Sequence, residues 1–201
     1  MAIVQLGDAL VNSLLGKDDL GAHGKFMTSV HMGSEAFRSR MTAAGLAPHI
    51  IAERIEWAQG EIRAGLDLCE SPIERSMLPA LVFADYWVSS SVPAAVHTNQ
   101  SEPLPEERVV IVPQHVVLNF RLDFAIVVRA NKGRILTVAV ECDGASYHEK
   151  FKDAARDDVL ASWGIPVVRL TGSRIHTDPM ECASFVAGRV IHHIDRLGMA
   201  R

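Results

Sequence analysis

The chain has 201 residues, of which 48% are hydrophobic and 22% charged, a balance typical of a globular protein that buries a core. Its formal net charge of -4 argues against a protein that binds nucleic acid over its whole surface, but it is compatible with a local basic rim. No apolar run approaches the roughly 18 residues needed to cross a membrane, and the first 16 residues lack the basic flank of a signal peptide, so we expect a cytoplasmic protein.

Residues 1–69 are predicted to be helical, with candidate helices at 2–15, 34–44 and 48–68. Three glycines, Gly21, Gly24 and Gly33, predict a loop-rich stretch between the first two of these helices. This segment contains no recognisable catalytic or binding motif. We therefore predict a helical extension of unknown role, followed by a separate domain at 70–201.

A helix start is predicted at Ser71, which suits the N-cap, with Pro72 at the first helical position and Glu74 completing a capping box. Apolar residues then follow at about four-residue spacing, namely Ile73, Met77, Leu81, Ala84 and Val88. After a polar loop at 89–107, a strand is predicted from 109, which Pro113 interrupts or marks as a sheet edge.

Two β-rich runs, 116–129 and 134–143, are separated by a predicted hairpin loop, Asn131-Lys132-Gly133. With a three-residue loop, cross-strand partners have residue numbers that add up to 264, which sets Asp123 opposite Glu141. The two-residue alternation of a strand then predicts that Asp123, Glu141 and Asp143 share one face. The other face is predicted to be apolar and to pack on a core; it comprises Phe120, Leu122, Phe124, Ile126, Val128, Leu136, Val138, Val140 and Cys142.

Three carboxylates on one sheet face repel each other, because opposed like charges destabilise a strand pair. A hard divalent cation between them would remove this repulsion. Mg²⁺ prefers oxygen ligands and keeps waters for a phosphate substrate, and Mn²⁺ suits the same ligands. The alternative is a solvated face on which two acids happen to be opposed, but the core-like sequence around Asp123 argues against it.

A helix at about 147–163, ended by Gly164, and a short strand at 165–170 complete a strand-helix-strand unit with a predicted right-handed parallel crossover. A second capping signal, Asp178-Pro179-Met180-Glu181, predicts a last helix that runs to about 197. Together these elements predict an α/β fold with a central mixed β-sheet flanked by helices.

Residues 70–175 contain short motifs in a fixed order: Arg121-Leu122-Asp123-Phe124, Val140-Glu141-Cys142-Asp143-Gly144, Tyr147-His148, Arg156-Asp157, Leu160, Gly164 and Val168-Arg169-Leu170-Thr171. In type and order they resemble a compact PD-(D/E)XK endonuclease domain, closest to the group related to the very-short-patch-repair nicking endonucleases. The resemblance implies a restriction-endonuclease-like fold and Mg²⁺-dependent hydrolysis of DNA phosphodiester bonds. Residues 1–69 lie outside it.

The resemblance also implies roles for individual residues. Asp123 and Glu141 would bind the catalytic metal, with the main-chain carbonyl of Cys142 as a further ligand. Glu74 corresponds to an acid on the preceding helix that reaches the metal directly or through water. His148 corresponds to a histidine that acts as a general base or contacts the phosphate.

One position departs from the superfamily pattern, since Asp143 stands where a lysine is usual. An aspartate cannot stabilise developing negative charge, so Asp143 would either bind a second cation or begin an Asp-Gly turn. The duty of the lysine would then pass to His148, Lys150 or Lys152, which follow closely in the sequence.

Several of these residues also have structural interpretations. The capping box alone would explain Glu74, and Arg156-Asp157 would equally suit a solvated helical pair. Gln114 is a weaker candidate for contact with the site from the preceding strand. For the whole protein, the alternative function is a non-cleaving nucleic-acid-binding or interaction protein with a degenerate nuclease fold, and action on RNA or branched DNA also stays open. The sequence leaves the oligomeric state open.

Overall fold

The computed structural model describes residues 20–84, 92–106, 108–129, 133–144 and 150–199. In chain order, the elements of these ranges are α1 (Leu20–Ala43), α2 (Pro48–Leu66), α3 (Pro72–Val82), β1 (Ala95–Val96), β2 (Val109–Val117), β3 (Phe120–Arg129), β4 (Ile135–Asp143), α4 (Lys150–Ser162), β5 (Val167–Thr171), α5 (Gly172–Thr177) and α6 (Pro179–Arg196). The helix predicted at 2–15 and the candidate His148 lie outside the described residues.

The five strands form one mixed sheet in the order β1-β2-β3-β4-β5. The pairs β2-β3 and β3-β4 are antiparallel, whereas β1-β2 and β4-β5 are parallel. The parallel β4-β5 pair is connected through α4, as expected for a strand-helix-strand unit. The predicted fold class, an α/β fold with a central mixed sheet, flanking helices and a helical N-terminal region, is confirmed.

The register of β3 against β4 is the one that the hairpin loop predicts. Every described pair, from Arg129–Ile135 to Phe124–Val140, has residue numbers that add up to 264. The ladder ends at Phe124–Val140, one pair before Asp123 and Glu141. The two strands therefore bring these acids side by side at the point where their main-chain pairing stops.

One face of the sheet packs on α1, α2, α3 and α6 in a single hydrophobic cluster. Seven residues of the predicted apolar face lie in this cluster: Phe124, Ile126, Val128, Leu136, Val138, Val140 and Cys142. The prediction was wrong for Leu122 and Phe120, which pack in a second cluster with Val127 and with Leu160 of α4. Both faces of the sheet are therefore buried.

The change of face in β3 coincides with an irregular residue in β2. Gln114 has a φ of 51°, in the left-handed region that few residues other than glycine adopt. The ladder pairs Pro113 with Phe124 and His115 with Leu122, and it gives no pair between them. The strict alternation that predicted one continuous apolar face is interrupted there, beside Asp123.

The expectation of a loop around Gly21, Gly24 and Gly33 was wrong, because all three lie within the continuous helix α1. At Gly33 the packing supplies the reason. A Cβ atom there would lie 2.8 Å from Cδ2 of Phe83. The glycine permits a close approach between α1 and the end of α3, which helical periodicity alone does not reveal.

Three further boundaries differ from the prediction. The run at 116–129 is two strands, because Leu118 and Asn119, with φ of 50° and 70°, form a tight turn between β2 and β3. Helix α3 ends at Val82 instead of 88. Helix α5 was not predicted; its N-cap is Thr171, whose hydroxyl accepts a hydrogen bond from the Arg174 N–H.

The N-terminal helices share their core with the sheet, since Phe37 of α1 and Ile51 of α2 lie in the same cluster as Phe124 of β3. The division of the chain at residue 70 stays a prediction. Within the described ranges, no helix is long and apolar enough to cross a membrane.

Candidate active site

The site lies where β3 and β4 separate. Beyond the last ladder pair, Oδ2 of Asp123 accepts a hydrogen bond from the main-chain N–H of Cys142, with an oxygen–nitrogen distance of 2.6 Å. In a continuous antiparallel ladder a main-chain carbonyl would accept that hydrogen bond. The Asp123 side chain therefore replaces a main-chain acceptor and is held in the gap between the strands.

Glu141 follows on β4, with a side chain that is only 7% exposed. Nη2 of Arg156, on α4, donates to its Oε1 at 2.6 Å, and Nη1 lies 3.4 Å from its Oε2. The same Nη2 donates to the main-chain carbonyl of Arg121 at 2.9 Å, and the guanidinium lies over the Phe120 ring. Arg156 thus bridges β3 and β4 across the gap.

The charges of the two acids are strongly disfavoured by their surroundings. Burial raises the pKa of Glu141 to about 7, and the charge of Asp123 adds to this effect against the opposing effects of Arg156 and Arg169. Burial also raises the pKa of Asp123, although the Cys142 N–H opposes the shift and Glu74 adds to it. Burial therefore makes both carboxylates more costly to ionise than they are in water.

Asp143, at the end of β4, is paired with an arginine. Nη1 of Arg169, on β5, donates to Oδ1 of Asp143 at 3.0 Å. The same guanidinium makes two hydrogen bonds of 3.0 and 2.9 Å to the carboxylate of Asp157 on α4. Arg156 and Asp157 are adjacent in the sequence but bind different residues of the sheet. Arg156 binds Glu141 of β4, and Asp157 binds Arg169 of β5.

Glu74 makes the predicted N-cap contact through its N–H, and its carboxylate accepts three further hydrogen bonds. The Ser71 hydroxyl accepts the Glu74 N–H at 3.3 Å and donates to Glu74 Oε1 at 2.6 Å. Glu74 Oε2 accepts from the Glu70 N–H at 2.9 Å and from Nε2 of Gln114 at 2.8 Å. The charge of Glu74 also acts on the pKa of Asp123, so the cap and the site are electrostatically connected.

Gln114 connects the irregular point of β2 to this acid. Its carbonyl accepts from Nε2 of Gln100 at 3.0 Å, and Oε1 of Gln100 accepts the Val116 N–H at 3.1 Å. Strained backbone that neighbouring groups hold in place is common at functional sites. Here the Gln114 amide donates to Glu74, and a role of Gln114 in a functional site stays a prediction.

Comparison of the chain with known protein families, with characterised proteins and with solved structures found no match. The resemblance to the PD-(D/E)XK superfamily stays a prediction.

The structure brings together four of the predicted site residues: Glu74, Asp123, Glu141 and Asp143. In the part of the chain that the structure describes, no group of three or more histidine, cysteine, aspartate or glutamate side chains is arranged to hold a metal ion. Each of the four acids is instead bonded to a protein partner. The metal-ligand roles, including that of the Cys142 carbonyl, stay predictions, as do the roles of His148, Lys150 and Lys152.

Sequence reasoning assigned no role to Arg169 and left Arg156 undecided, yet these two arginines bind the acids of the site. A signal was present for Arg169, since it is a charged residue between the apolar Val168 and Leu170 of a short strand. The β4-β5 register places it beside Glu141. That register depends on a crossover whose alignment the sequence does not specify.

Proposed function

We propose that this protein is a Mg²⁺-dependent endonuclease of the PD-(D/E)XK type that hydrolyses DNA phosphodiester bonds. The observation that carries the proposal is the pair Asp123 and Glu141. These two acids come from adjacent strands and meet where the strands separate, and burial raises the pKa of both. A pair of acids that is costly to ionise in the protein alone is stabilised by a cation.

The residues of the site fit a hard divalent cation in their chemistry. Asp123 and Glu141 offer carboxylate oxygens, which Mg²⁺ and Mn²⁺ prefer. Such an ion, when bound, polarises a phosphoryl oxygen and lowers the pKa of a coordinated water. Asp123 and Glu141 would hold it with the Cys142 carbonyl, and Glu74 would add negative charge from α3.

The remaining polar residues would bind and orient the substrate. Arg156 and Arg169 place two guanidinium groups beside the acids, and guanidinium groups bind phosphate oxygens with two hydrogen bonds. His148 would exchange a proton with the reacting groups or contact the phosphate. Imidazole side chains commonly act as general acids and bases in enzymes.

A second function is favoured by a different observation. Arg156 and Arg169 already pair with Glu141 and Asp143, so the protein supplies cations for two of its own acids. A fold that has lost catalysis would contain such pairs, and the usual lysine is missing at Asp143. This supports a non-cleaving protein that binds nucleic acid or another partner.

One set of assays separates these functions. Wild type, Asp123→Asn and Glu141→Gln are incubated with supercoiled plasmid, and in parallel with single-stranded RNA, across a Mg²⁺ titration. The endonuclease proposal expects plasmid nicking by wild type and a reduction of about 100-fold or more in both variants, with unchanged circular dichroism. Metal-independent DNA binding without cleavage in all three proteins would support the second function. Cleavage of RNA alone would reassign the substrate.

A further inference from the structure

Arg156 occupies an unusual position among the arginines of the site. Its side chain is 20% exposed, and its Nη atoms contact both Glu141 and the carbonyl of Arg121. Its Nε–H is buried and, within the described part of the protein, has no hydrogen-bond acceptor. A buried donor without an acceptor is costly. The ion pair with Glu141 therefore forms in a place where one of the five N–H groups of this guanidinium is unsatisfied.

We infer that Arg156 is an internal counter-ion for Glu141, which a divalent cation must displace in order to bind. The inference rests on the proposed function, because it concerns the same cation site. The two guanidinium contacts span both oxygens of the Glu141 carboxylate. A cation that takes this carboxylate as a ligand therefore competes directly with Arg156.

In the structure, protein groups already bind the carboxylate oxygens that a cation would need: Arg156 binds Glu141, and the Cys142 N–H binds Asp123. Without a cation, Arg156 compensates part of the charge of Glu141, and the Cys142 N–H compensates part of that of Asp123. The free energy of cation binding is then the energy that the cation gains from Asp123 and Glu141, minus the energy of the Arg156–Glu141 ion pair that it displaces. Metal binding would be weakened by Arg156, and the displaced guanidinium would have the chemistry to bind a phosphate oxygen.

The test measures Mn²⁺ binding alone, by isothermal titration calorimetry of the full chain under anaerobic conditions. It is done at pH 8.5, where protons compete least with the cation. Arg156→Gln should bind Mn²⁺ about tenfold more tightly than wild type, because the competing charge and its paired hydrogen bonds are gone. Arg121→Gln is the matched control. It removes the same charge from an exposed arginine that pairs with Glu70, and it should change the affinity less than about twofold.

A second variant covers the case in which Arg156→Gln does not fold. Arg156→Lys keeps the charge but cannot span both carboxylate oxygens, so it should bind Mn²⁺ about threefold more tightly than wild type. Unchanged or weaker Mn²⁺ binding in the folded Arg156 variants, with measurable binding in wild type, would overturn the counter-ion inference alone. If neither wild type nor the variants bind Mn²⁺, both the inference and the metal-dependent function are overturned.

Discussion

The clearest energetic consequence of the site is that Glu141→Gln should stabilise the protein when divalent cations are removed with EDTA. Glutamine has the shape of the protonated acid and still accepts a hydrogen bond from Arg156. The pKa of Glu141 rises from 4.5 to about 7 on folding, which corresponds to at most about 3 kcal/mol in favour of the neutral form above pH 7. Because Arg156 and Glu141 are coupled, we expect a gain of about 1–3 kcal/mol at pH 8.

The sign of the pH dependence follows from the direction of the shift. A raised pKa means that the folded protein binds the Glu141 proton more tightly than the unfolded chain does, so wild-type stability increases as the pH falls from about 7 to 4.5. The advantage of Glu141→Gln should therefore be largest above pH 7 and should vanish near pH 4.5.

The assay is thermal or urea unfolding in EDTA at pH 8, 6.5 and 5. Each kcal/mol should raise the Tm by about 2–4 °C in a protein of this size. Glu181→Gln is the control, because it neutralises an exposed glutamate that also pairs with an arginine, Arg174. A destabilisation of several kcal/mol by Glu141→Gln at pH 8 would contradict this prediction. It would mean that the Glu141–Arg156 pair behaves as an ordinary buried ion pair that is damaged by removing one partner.

Three further predictions concern other parts of the molecule. If Asp143 is a metal ligand, Asp143→Asn should shift cleavage to a higher Mn²⁺ concentration. Superimposed titration curves for wild type and Asp143→Asn would mean that Asp143 is structural, through its pair with Arg169 and the Asp-Gly turn. Gly33→Ala should lower the free energy of unfolding by about 1–3 kcal/mol in urea titrations, because the added methyl group clashes with Phe83. Gly24→Ala is the control, since its methyl group would meet open space. Equal destabilisation by the two substitutions would contradict the packing argument. Ser71→Ala should cost about 1 kcal/mol in the same assay, since it removes both capping contacts with Glu74, and an unchanged midpoint would show that the cap contributes nothing.

Much of the fold followed from local chemistry in the sequence. The three-residue loop predicted the β3-β4 register, and that register is confirmed in all six pairs from Phe124–Val140 to Arg129–Ile135. The helix starts at Ser71 and Asp178 were also predictable, because capping depends on residues within one turn. Such features need only neighbours in the chain.

The features that sequence reasoning missed depend on distant contacts. Gly33 looked like a loop residue because the Phe83 ring that it faces is fifty residues away in the chain. Leu122 was assigned to the wrong face because the alternation is interrupted opposite Gln114, a residue with no sequence mark of a positive φ.

The candidate site shows the same division between local and distant information. The register that the hairpin loop predicts brought Asp123 and Glu141 together, and the apolar surroundings of Asp123 indicated a buried acid. The partners of these acids were not foreseeable in detail. Arg156 reaches Glu141 from a helix, and Arg169 reaches Asp143 from the parallel strand β5, so both contacts depend on how α4 and β5 pack on β4.

The metal site at Asp123 and Glu141 is tested most directly by the anomalous scattering of a crystal soaked in Mn²⁺. We predict a Mn²⁺ peak within coordination distance of a carboxylate oxygen of Asp123 and one of Glu141, with Arg156 displaced from Glu141. A peak bound elsewhere, with Glu141 still paired to Arg156 and Asp123 still bonded to the Cys142 N–H, would contradict it.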